Sequence, residues 1–436
     1  MSQPATLPDL ATLRALPPRD LADTLLALSP AELGALFERF GDEAMAELVG
    51  ELDPRDAARL IRKLSRPAAA DLLEEMAPDE AADVVEELPP EQAEPLLTEV
   101  EPEVAREIRE LLAYPPESAG GMMTPQYVAI SPDLTADEAL AHLRRLAEEA
   151  EVVYYVYVTD PATRRLLGVL SLRNLVLSRP TTPVRDLMIR EVIRVRADAP
   201  REEAARLLDR HHLIALPVVD EQDRLLGVIT ADDAADVLLE EAGEDLERVG
   251  GAQPLDEPYI TASPLTLARK RVGWLLLLFV AEAYTGTVLR HFADELERVV
   301  ALAFFIPLLI GTGGNTGSQV VTTVVRAMAM GEVRMRDAFR VWRKEVATAV
   351  LLGAAMAAAA LLRARLLGVA PEVGLTVALA AAAIVLWAAT VAGLLPLVLR
   401  RLGVDPAVVS APLIATLVDG TGLVIYFEVA RRVLGL

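Results

Sequence analysis

Five apolar stretches in the second half of the chain constrain its fold more than any other feature of the sequence. They cover residues 272–290, 299–326, 345–367, 373–399 and 407–430. About 20 consecutive apolar residues make a helix long enough to cross the hydrocarbon core of a bilayer. Only helices and closed barrels satisfy their backbone hydrogen bonds in lipid, so the sequence predicts a transmembrane domain of five helices within residues 271–436.

Basic residues flank these stretches unevenly. They cluster at 269–271, at 334–344 and at 400–401, whereas the link at 294–297 is mainly acidic. Loops rich in Lys and Arg stay on the cytoplasmic side of a membrane. We therefore predict a multi-pass protein of the cell (plasma) membrane, with residues 1–271 in the cytoplasm and the C-terminus outside.

The fifth apolar stretch carries a carboxylate near its middle, Asp419, followed by Gly420, Thr421 and Gly422. A charge at membrane depth costs roughly 2.5–3.5 kcal/mol even on the mildest scale, so it usually faces a water-filled path or a partner. The small neighbours let other helices or hydrated ions approach closely. We favour an ion pathway at Asp419 over a simple ion pair with a basic residue on a neighbouring helix.

A run of small and polar residues at 311–319 interrupts the second apolar stretch, and Pro307 just before it predicts a break or kink in that helix. The run lacks the Gly-Lys-Ser/Thr ending of a phosphate-binding loop. It is better suited to pack helices tightly or to line a cavity. Glu282 and Glu428 also lie in apolar stretches and can line the same path, although we favour an ion pair between Glu428 and the arginines at 431–432.

The charge of the chain is divided between its two halves. The net charge is −22, yet the residues from 270 onward carry 16 Lys and Arg against 11 Asp and Glu, so the excess of acid lies before them. An acidic surface attracts cations and repels nucleic acid, which argues against nucleic-acid binding. The chain has no Cys, which excludes disulfides and thiolate metal sites.

Prolines recur at short intervals in residues 1–122, ahead of segments with small and aliphatic residues at helical spacing. They are Pro30, Pro54, Pro67, Pro78, Pro90 and Pro102. Proline is favoured in the first turn of a helix, and the spacing that follows predicts short amphipathic helices stacked as a repeat. We expect an α-helical repeat domain over 1–122 with a strongly acidic surface, most of which is simply solvated.

Residues 123–240 contain two copies of one pattern. The first copy ends in Leu167-Gly-Val-Leu-Ser-Leu-Arg-Asn174 and the second in Leu226-Gly-Val-Ile-Thr-Ala-Asp-Asp233. Each copy predicts one strand, a helix, two short strands and a closing helix, which is an α/β unit with its sheet buried against helices. This pattern resembles a tandem pair of cystathionine β-synthase (CBS) domains.

The CBS resemblance implies a nucleotide site, with ATP as the candidate ligand. In that family a Ser or Thr and the acid three residues later contact the ribose and phosphate. The matching residues here are Ser171 with Asn174, and Thr230 with Asp233. Asn174 departs from the usual Asp, and such pairs are often only structural.

The order of the parts resembles the MgtE family of magnesium channels and transporters. The parts are the helical domain 1–122, the CBS pair 123–240, a connecting, plug-like helix at 241–270 and a five-helix membrane domain at 271–436. The motifs that carry the resemblance are Gly120-Gly-Met-Met-Thr124-Pro, Gly311-Thr-Gly-Gly-Asn-Thr-Gly-Ser-Gln319, Arg401-Leu-Gly-Val-Asp405-Pro and Pro412-Leu-Ile-Ala-Thr-Leu-Val-Asp419-Gly-Thr-Gly.

This resemblance implies a homodimer in the lipid bilayer, with a pore between the protomers and Asp419 as the ion-selecting carboxylate. Mg²⁺ prefers octahedral oxygen ligands and sheds its water reluctantly, so one carboxylate from each protomer can hold a mostly hydrated ion. The backbone carbonyl of Ala415 and the side chain of Asn315 are further candidate contacts with the ion.

The resemblance also implies that cytoplasmic Mg²⁺ binds acidic residues of the helical domain, the CBS pair and the connecting helix. The matching positions are Asp79, Asp83, Glu202, Asp233, Asp236, Glu241, Glu244 and Asp245. Arg59 and His212 stand where a family member has acids, and Arg59 can replace one ion with a direct salt bridge.

The expected function is therefore a Mg²⁺-selective uptake channel that closes when cytoplasmic Mg²⁺ binds. Two alternatives stay open: a divalent-cation carrier (Mg²⁺ or Co²⁺) coupled to another ion, and a membrane-anchored CBS adenylate sensor. Enzyme activity is not expected, because the chain has only four His and shows no pairing of a nucleophile with a base.

Overall fold

The computed structural model describes residues 7–146, 152–255, 257–405 and 409–436. The chain divides into two compact units, Met1–Leu239 and Glu240–Leu436. The first unit contains the helical domain and the CBS pair, and the second contains the membrane helices.

Short helices fill the N-terminal domain, as its recurring prolines predict. Within the described residues they are α1 (Leu10–Arg14), α2 (Pro18–Ala27), α3 (Pro30–Phe40), α4 (Asp42–Gly50), α5 (Pro54–Ile61), α6 (Arg66–Glu75), α7 (Pro78–Glu86), α8 (Pro90–Leu97) and α9 (Pro102–Leu111). Each of the six prolines named above lies at the first or second position of a helix, as predicted.

The apolar faces of these helices form one core. Leu36, Leu60 and Leu72 are fully buried in it, and each comes from a different helix. Helix α3 shows how the sequence fixes the start of a helix: the amide of Glu32 donates to Ser29 Oγ, and the amide of Ser29 donates to Glu32 Oε2 at 2.9 Å. This reciprocal cap satisfies two amides that the helix itself leaves unpaired.

The CBS pair consists of two similar α/β copies. The first contains β1 (Tyr127–Ile130), α10 (Ala136–Leu146), β2 (Val152–Thr159), β3 (Leu166–Ser171) and α11 (Leu172–Leu177), and after the short α12 (Val184–Leu187) the second contains β4 (Val195–Arg196), α13 (Arg201–His211), β5 (Ala215–Val219), β6 (Leu225–Thr230) and α14 (Ala231–Val249). In each sheet the first strand runs parallel to the second, and the second pairs antiparallel with the third. The predicted duplication is confirmed.

Corresponding residues of the two copies are buried in the same way. Val156 on β2 pairs with Leu170 on β3, and Leu216 on β5 pairs with Ile229 on β6. All four side chains are fully buried. Cross-strand pairs of this kind stabilise the sheets and fix their register.

The predicted single connecting helix at 241–270 differs from the structure. Helix α14 continues to Val249, no helix is present from 250 to 255 or from 257 to 263, and the next helix begins at Pro264. Gly251 has φ +78°, a backbone conformation that ends helices. The prolines at 254 and 258 then remove amide donors that a continuing helix needs.

The described residues of the second unit contain five helices long and apolar enough to cross a membrane, as predicted. They are α15 (Pro264–His291), α17 (Ile306–Ala329) with the 3₁₀ segment Val300–Phe305 before it, α18 (Ala338–Leu366), α19 (Pro371–Arg401) and α20 (Ala411–Leu434). The short helix α16 (Ala293–Arg298) lies between the first two spans. Residues 407 and 408, the predicted start of the fifth span, lie outside the described residues.

The glycine-rich run at 311–319 does not interrupt its helix, which corrects the sequence prediction. The whole run lies inside α17, and Pro307 lies in the first turn of α17 rather than at a kink. Proline is tolerated there because the first amides of a helix have no partner within it. The change in backbone geometry falls earlier, in the 3₁₀ segment Val300–Phe305.

Small residues let α17, α19 and α20 pack closely. A Cβ placed on Gly313 would lie 2.7 Å from Ile384 of α19 and 2.8 Å from Val418 of α20. A Cβ on Gly317 would lie 2.5 Å from Ile414 of α20. These glycines therefore pack helices tightly, which was one of the two roles expected of the run.

Candidate ion sites

Asp419 lies where α20 packs against the glycines of α17. A Cβ placed on Gly314 would lie 3.5 Å from Asp419 Oδ1 and 3.3 Å from the Cβ of Ala415. Ala415 precedes Asp419 by four residues, so both lie on one face of α20. The structure thus brings two predicted pore residues together against Gly314, whereas the third, Asn315, has an exposed side chain.

A second helix reaches the same turn of α20. A Cβ placed on Gly420 would lie 2.4 Å from the ring of Tyr284 and 3.2 Å from the hydroxyl of Thr285, both on α15. Glu282 also lies on α15. Glu282 was expected along the ion path, whereas nothing in the sequence marked Thr285, which is one threonine among many in apolar segments.

Two oxygen atoms near this turn are buried without a hydrogen-bond partner among the described residues. They are Asp419 Oδ1 and Thr285 Oγ1. Buried polar atoms nearly always have a partner, so an exception calls for an explanation such as an ion or a water. Carboxylate and hydroxyl oxygens are the donors that hard divalent cations prefer, so these residues fit Mg²⁺.

A cluster of acids lies in the first unit, where the first turns of α7 and α14 meet. Burial and the nearby Asp233 raise the pKa of Asp79 to about 6. Burial, followed by Asp79 and Asp233, raises the pKa of Glu80 to about 7. The pKa of Asp233 is also raised, chiefly by burial. Burial is the first cause in all three cases, and repulsion from Asp233 adds to the shifts of Asp79 and Glu80.

One atom of this cluster has no partner among the described residues: Asp79 Oδ1 is buried without a hydrogen bond. Sequence reasoning found Asp79 and Asp233 but missed Glu80 and Thr124. The hydroxyl of Thr124 interacts with Asp79 and lowers its pKa, against the larger effect of burial. Thr124 belongs to a motif that the sequence had singled out, but its contact depends on folding between distant segments.

Other predicted sensing residues pair with arginines on their own helices. Glu202 pairs with Arg206 on α13. On α14, Arg248 lies 2.6 Å from Glu244 and 4.0 Å from Asp245. The remaining predicted members are Asp83 on α7, and Asp236 and Glu241 on α14. Within the described ranges, no three His, Asp or Glu side chains are grouped closely enough to hold a metal ion.

The two departures from the family pattern have local roles. The guanidinium of Arg59 pairs with Asp56 of the same helix at 2.7 Å. His212 ends α13 in a left-handed conformation with φ 52°. Asn and His tolerate this conformation better than most residues.

Both candidate nucleotide pairs make a local hydrogen bond at the start of a helix. Ser171 Oγ accepts a hydrogen bond of 3.2 Å from the amide of Asn174 and so caps α11. The hydroxyl of Thr230 donates to Asp233 at the start of α14. The structural alternative for both pairs therefore has direct support in these contacts.

The expected ion pair of Glu428 is confirmed. Its carboxylate lies 3.3 Å from Arg431 and 3.5 Å from Arg432. Arg431 also lies 2.6 Å from Glu295 on α16. Glu428 thus belongs to an ion-pair network at the end of α20, separate in sequence from the turn that carries Asp419.

The fold and these sites define a multi-pass membrane protein that joins a CBS pair to membrane helices with a buried carboxylate. Comparison with sequence profiles agrees with this organisation. Residues 16–117 match the MgtE intracellular N domain, residues 119–179 and 184–240 match the CBS domain, and residues 306–429 match the profile described as divalent cation transporter (MgtE).

Three bacterial relatives are similar over most of the chain. The magnesium transporter MgtE of Thermus thermophilus is 45% identical over 331 residues, which cover 75% of this chain and 72% of that protein. The corresponding proteins of Bacillus subtilis and Enterococcus faecalis are 37% and 34% identical. This chain therefore belongs to the MgtE family of magnesium transporters, as its motifs predicted. That family consists of transport proteins rather than enzymes.

Solved structures of soluble fragments are also similar in sequence. The soluble part of a magnesium transporter is 32% identical with a TM-score of 0.42, over 53% of this chain and 96% of that one. The cytosolic domain of the Mg²⁺ channel MgtE in complex with ATP is 36% identical with a TM-score of 0.38, over 50% of this chain and 94% of that one.

Proposed function

We propose that this chain is a Mg²⁺-selective channel for magnesium uptake and that cytoplasmic Mg²⁺ closes it. The observation that carries the transport part is the buried, unpartnered Oδ1 of Asp419 inside a membrane-spanning helix. A carboxylate in that position is costly unless it serves an ion or finds a partner. Its three named relatives are magnesium transporters.

The ion path of this proposal needs two copies of the chain. One carboxylate neutralises half the charge of Mg²⁺, so two Asp419 side chains in a homodimer match the ion. Each protomer supplies Asp419, with the Ala415 carbonyl on the same face of α20. The ion keeps most of its water and is recognised through it, since Mg²⁺ dehydrates reluctantly.

The regulatory part rests on the acid cluster of the first unit. Burial makes the charges of Asp79, Glu80 and Asp233 costly, and repulsion between these carboxylates adds to that cost. These acids, all within the described ranges, form no three-residue metal site as they stand, so a bound divalent cation must draw them closer together. Binding relieves their repulsion and favours the arrangement in which the acids are close. The remaining acids, Glu202 and those of α14, are the proposed further ligands.

The proposed sidedness follows from the charges at the membrane surfaces. The basic cluster at 334–344 lies between the end of α17 and the first turns of α18, and the cluster at 400–401 lies at the end of α19. If successive helices cross the membrane in alternating directions, both clusters lie on the same side. The positive-inside rule places that side in the cytoplasm together with both soluble domains. Cytoplasmic Mg²⁺ then reaches the sensing acids directly.

ATP is a second proposed ligand, at the CBS pair. Thr230 is buried and its hydroxyl already bonds Asp233, so a nucleotide there would have to share or replace this contact. Because Asp233 is also a proposed Mg²⁺ ligand, ATP and Mg²⁺ binding are expected to influence each other through this residue.

The test is Mg²⁺ flux into proteoliposomes that contain the full chain. Asp419→Asn keeps the side-chain shape and removes the charge, and we expect it to reduce flux strongly. Glu428→Gln removes an acid from the same helix outside the buried turn and serves as the matched control. Wild-type flux and selectivity in a folded Asp419→Asn protein would refute the proposed pathway. Enclosing Mg²⁺ in the liposomes should lower wild-type flux, whereas an increase would refute the proposed closure.

A further inference from the structure

An interhelical hydrogen bond lies beside the proposed ion site. The indole N–H of Trp387 on α19 donates to Oγ1 of Thr421 on α20 at 2.8 Å. Thr421 is only two residues beyond Asp419. Helix α19 thus holds the same turn of α20 that carries the carboxylate.

Thr421 is also hydrogen-bonded to the backbone of α20. Its hydroxyl donates to the carbonyl of Leu417 at 2.8 Å, with the carbonyl of Val418 at 3.3 Å. A threonine that bonds the carbonyl four residues earlier changes the local geometry of a helix. Asp419 lies in sequence between Leu417 and Thr421. A series of hydrogen bonds therefore links Trp387, through Thr421, to the backbone of the turn that carries Asp419.

Helix geometry places Thr421 away from the ion itself. At 3.6 residues per turn, two residues correspond to a rotation of about 200°. Thr421 and Trp387 therefore lie on the face of α20 opposite Asp419, which faces Gly314 of α17. A contact on the Thr421 face of α20 therefore sets the rotation of the helix, and with it the direction of the Asp419 side chain.

Ile384 of α19 makes apolar contacts near the same turn, and apolar contacts do not fix rotation as sharply. Ile384, one turn before Trp387, would lie 3.5 Å from a Cβ on Gly422 and 2.7 Å from a Cβ on Gly313. Such contacts hold the helices at a distance, whereas a hydrogen bond requires one donor to meet one acceptor. Trp387 supplies that directional contact.

We propose that Trp387 is a positioning residue for Asp419: its hydrogen bond to Thr421 fixes the rotation of α20 that turns the carboxylate toward Gly314 and the ion path. This inference rests on the proposed function of Asp419. Trp387 does not contact the ion in this proposal. It affects Mg²⁺ recognition only through Thr421 and the orientation of Asp419.

The test compares Trp387→Phe, Thr421→Val and their combination in the full chain in proteoliposomes. Phe keeps a ring and removes the N–H, and Val keeps the shape of Thr and removes the acceptor. We expect each single variant to raise the half-saturating Mg²⁺ concentration roughly three- to tenfold, the effect of losing about one hydrogen bond. The double variant should be no worse than either single one, because both remove the same contact.

Two further variants separate positioning from packing. Thr421→Ser keeps the acceptor and should restore half-saturation close to that of the wild type. Trp342→Phe, at the start of α18, changes a tryptophan away from this contact and should have no effect on half-saturation. If Trp387→Phe fails to fold, Thr421→Val tests the same contact from the other helix.

The outcomes distinguish this inference from the proposed function beneath it. Loss of Mg²⁺ recognition in Asp419→Asn with wild-type half-saturation in Trp387→Phe and Thr421→Val overturns the positioning role alone. Additive effects in the double variant also overturn it, since the ring would then act independently of Thr421. Wild-type transport by Asp419→Asn overturns the proposed function itself.

Discussion

Glu295 and Arg431 form an ion pair of 2.6 Å between the short helix α16 and the end of α20. The guanidinium of Arg431 also lies over the ring of Phe292, 4.6 Å from its centre, and Phe292 stacks on Phe427. Only 10% of the Glu295 side chain is exposed. The pair therefore stabilises the packing of the last turns of α20 against α16, which joins the first two spans.

Removing one partner of this pair should destabilise the membrane unit more than removing both. Arg431→Gln leaves the carboxylate of Glu295 buried without its partner, which costs more than the pair contributes. We expect a melting temperature in detergent several degrees below that of the wild type, and partial recovery in the double variant Glu295→Gln/Arg431→Gln. Arg432→Gln is the control, because Arg432 is 77% exposed and should shift melting little. Equal melting of the Arg431 and Arg432 variants would contradict this account.

The glycines of α17 give a second prediction with a control in the same helix. Gly317→Ala places a methyl group 2.5 Å from Ile414 of α20, whereas Gly311→Ala meets no atom within 4 Å. We expect Gly317→Ala to push α17 and α20 apart, reducing both melting temperature and Mg²⁺ flux, while Gly311→Ala changes neither or stabilises slightly. Detergent melting and proteoliposome flux measure the two effects. Comparable losses in both variants would mean that helical glycine as such, not close packing, is required.

The sequence was sufficient to predict the elements but not the contacts between them. Apolar length located the five spans, and the prolines located the starts of the short helices, because both signals are local. The adjacent glycines 250 and 251 are also a local signal, for the end of a helix. The prediction of one helix over 241–270 was wrong because it ran through them. Pro307 was misplaced for a related reason: a proline kinks a helix or begins it, depending on where the helix starts.

Partners from distant segments explain the remaining omissions. Glu80 and Thr124 join the acid cluster only because α7, α14 and the segment before β1 meet in the fold. Thr285 and Trp387 contact the turn around Asp419 across helix interfaces. No spacing along one chain specifies which face of a nearly uniformly apolar helix turns toward a neighbour, so these residues had no signal of their own.

The acid cluster predicts how stability depends on pH. The pKa values of Asp79 and Glu80, about 6 and about 7, lie above those of an unfolded chain, so the folded first unit binds more protons between pH 4 and 7. This contribution to stability is full below about pH 4 and is lost as pH rises through 6 to 7. Without Mg²⁺, limited proteolysis of the full chain should be faster at pH 8 than at pH 5.5, and Glu80→Gln should reduce this difference.

Added Mg²⁺ should oppose this loss, because it binds the ionised cluster. At pH 8 we expect roughly 10 mM Mg²⁺, well above the affinity of weak oxygen-ligand sites, to slow proteolysis markedly. At pH 5.5 protons occupy the same carboxylates, so the protection should be smaller. Glu103→Gln, on an exposed face of α9, is the control and should behave as the wild type. Protection that is equal at both pH values would contradict cation binding at these acids.

The acids of α14 predict how the proposed regulation works. The helix α14 carries all five of Asp233, Asp236, Glu241, Glu244 and Asp245, and its residues from 240 onward belong to the second unit. If Mg²⁺ binds one arrangement of these acids better than another, linkage requires that it favour the pore state belonging to that arrangement. Changing all five to Asn or Gln should therefore raise the internal Mg²⁺ concentration that half-inhibits flux, without altering half-saturation by transported Mg²⁺.

The size of that shift should grow with the number of acids removed. Each lost ligand removes part of the differential affinity, and a tenfold shift corresponds to about 1.4 kcal/mol, so the fivefold variant should exceed any single one. A control variant neutralises five exposed acids of the helical domain and alters net charge equally: Asp20, Asp23, Glu38, Glu43 and Glu91. If bulk charge governs inhibition, both fivefold variants will shift the midpoint alike. If the acids of α14 govern inhibition, only the α14 variant will shift the midpoint. In both fivefold variants, Mg²⁺ flux without internal Mg²⁺ should equal that of the wild type.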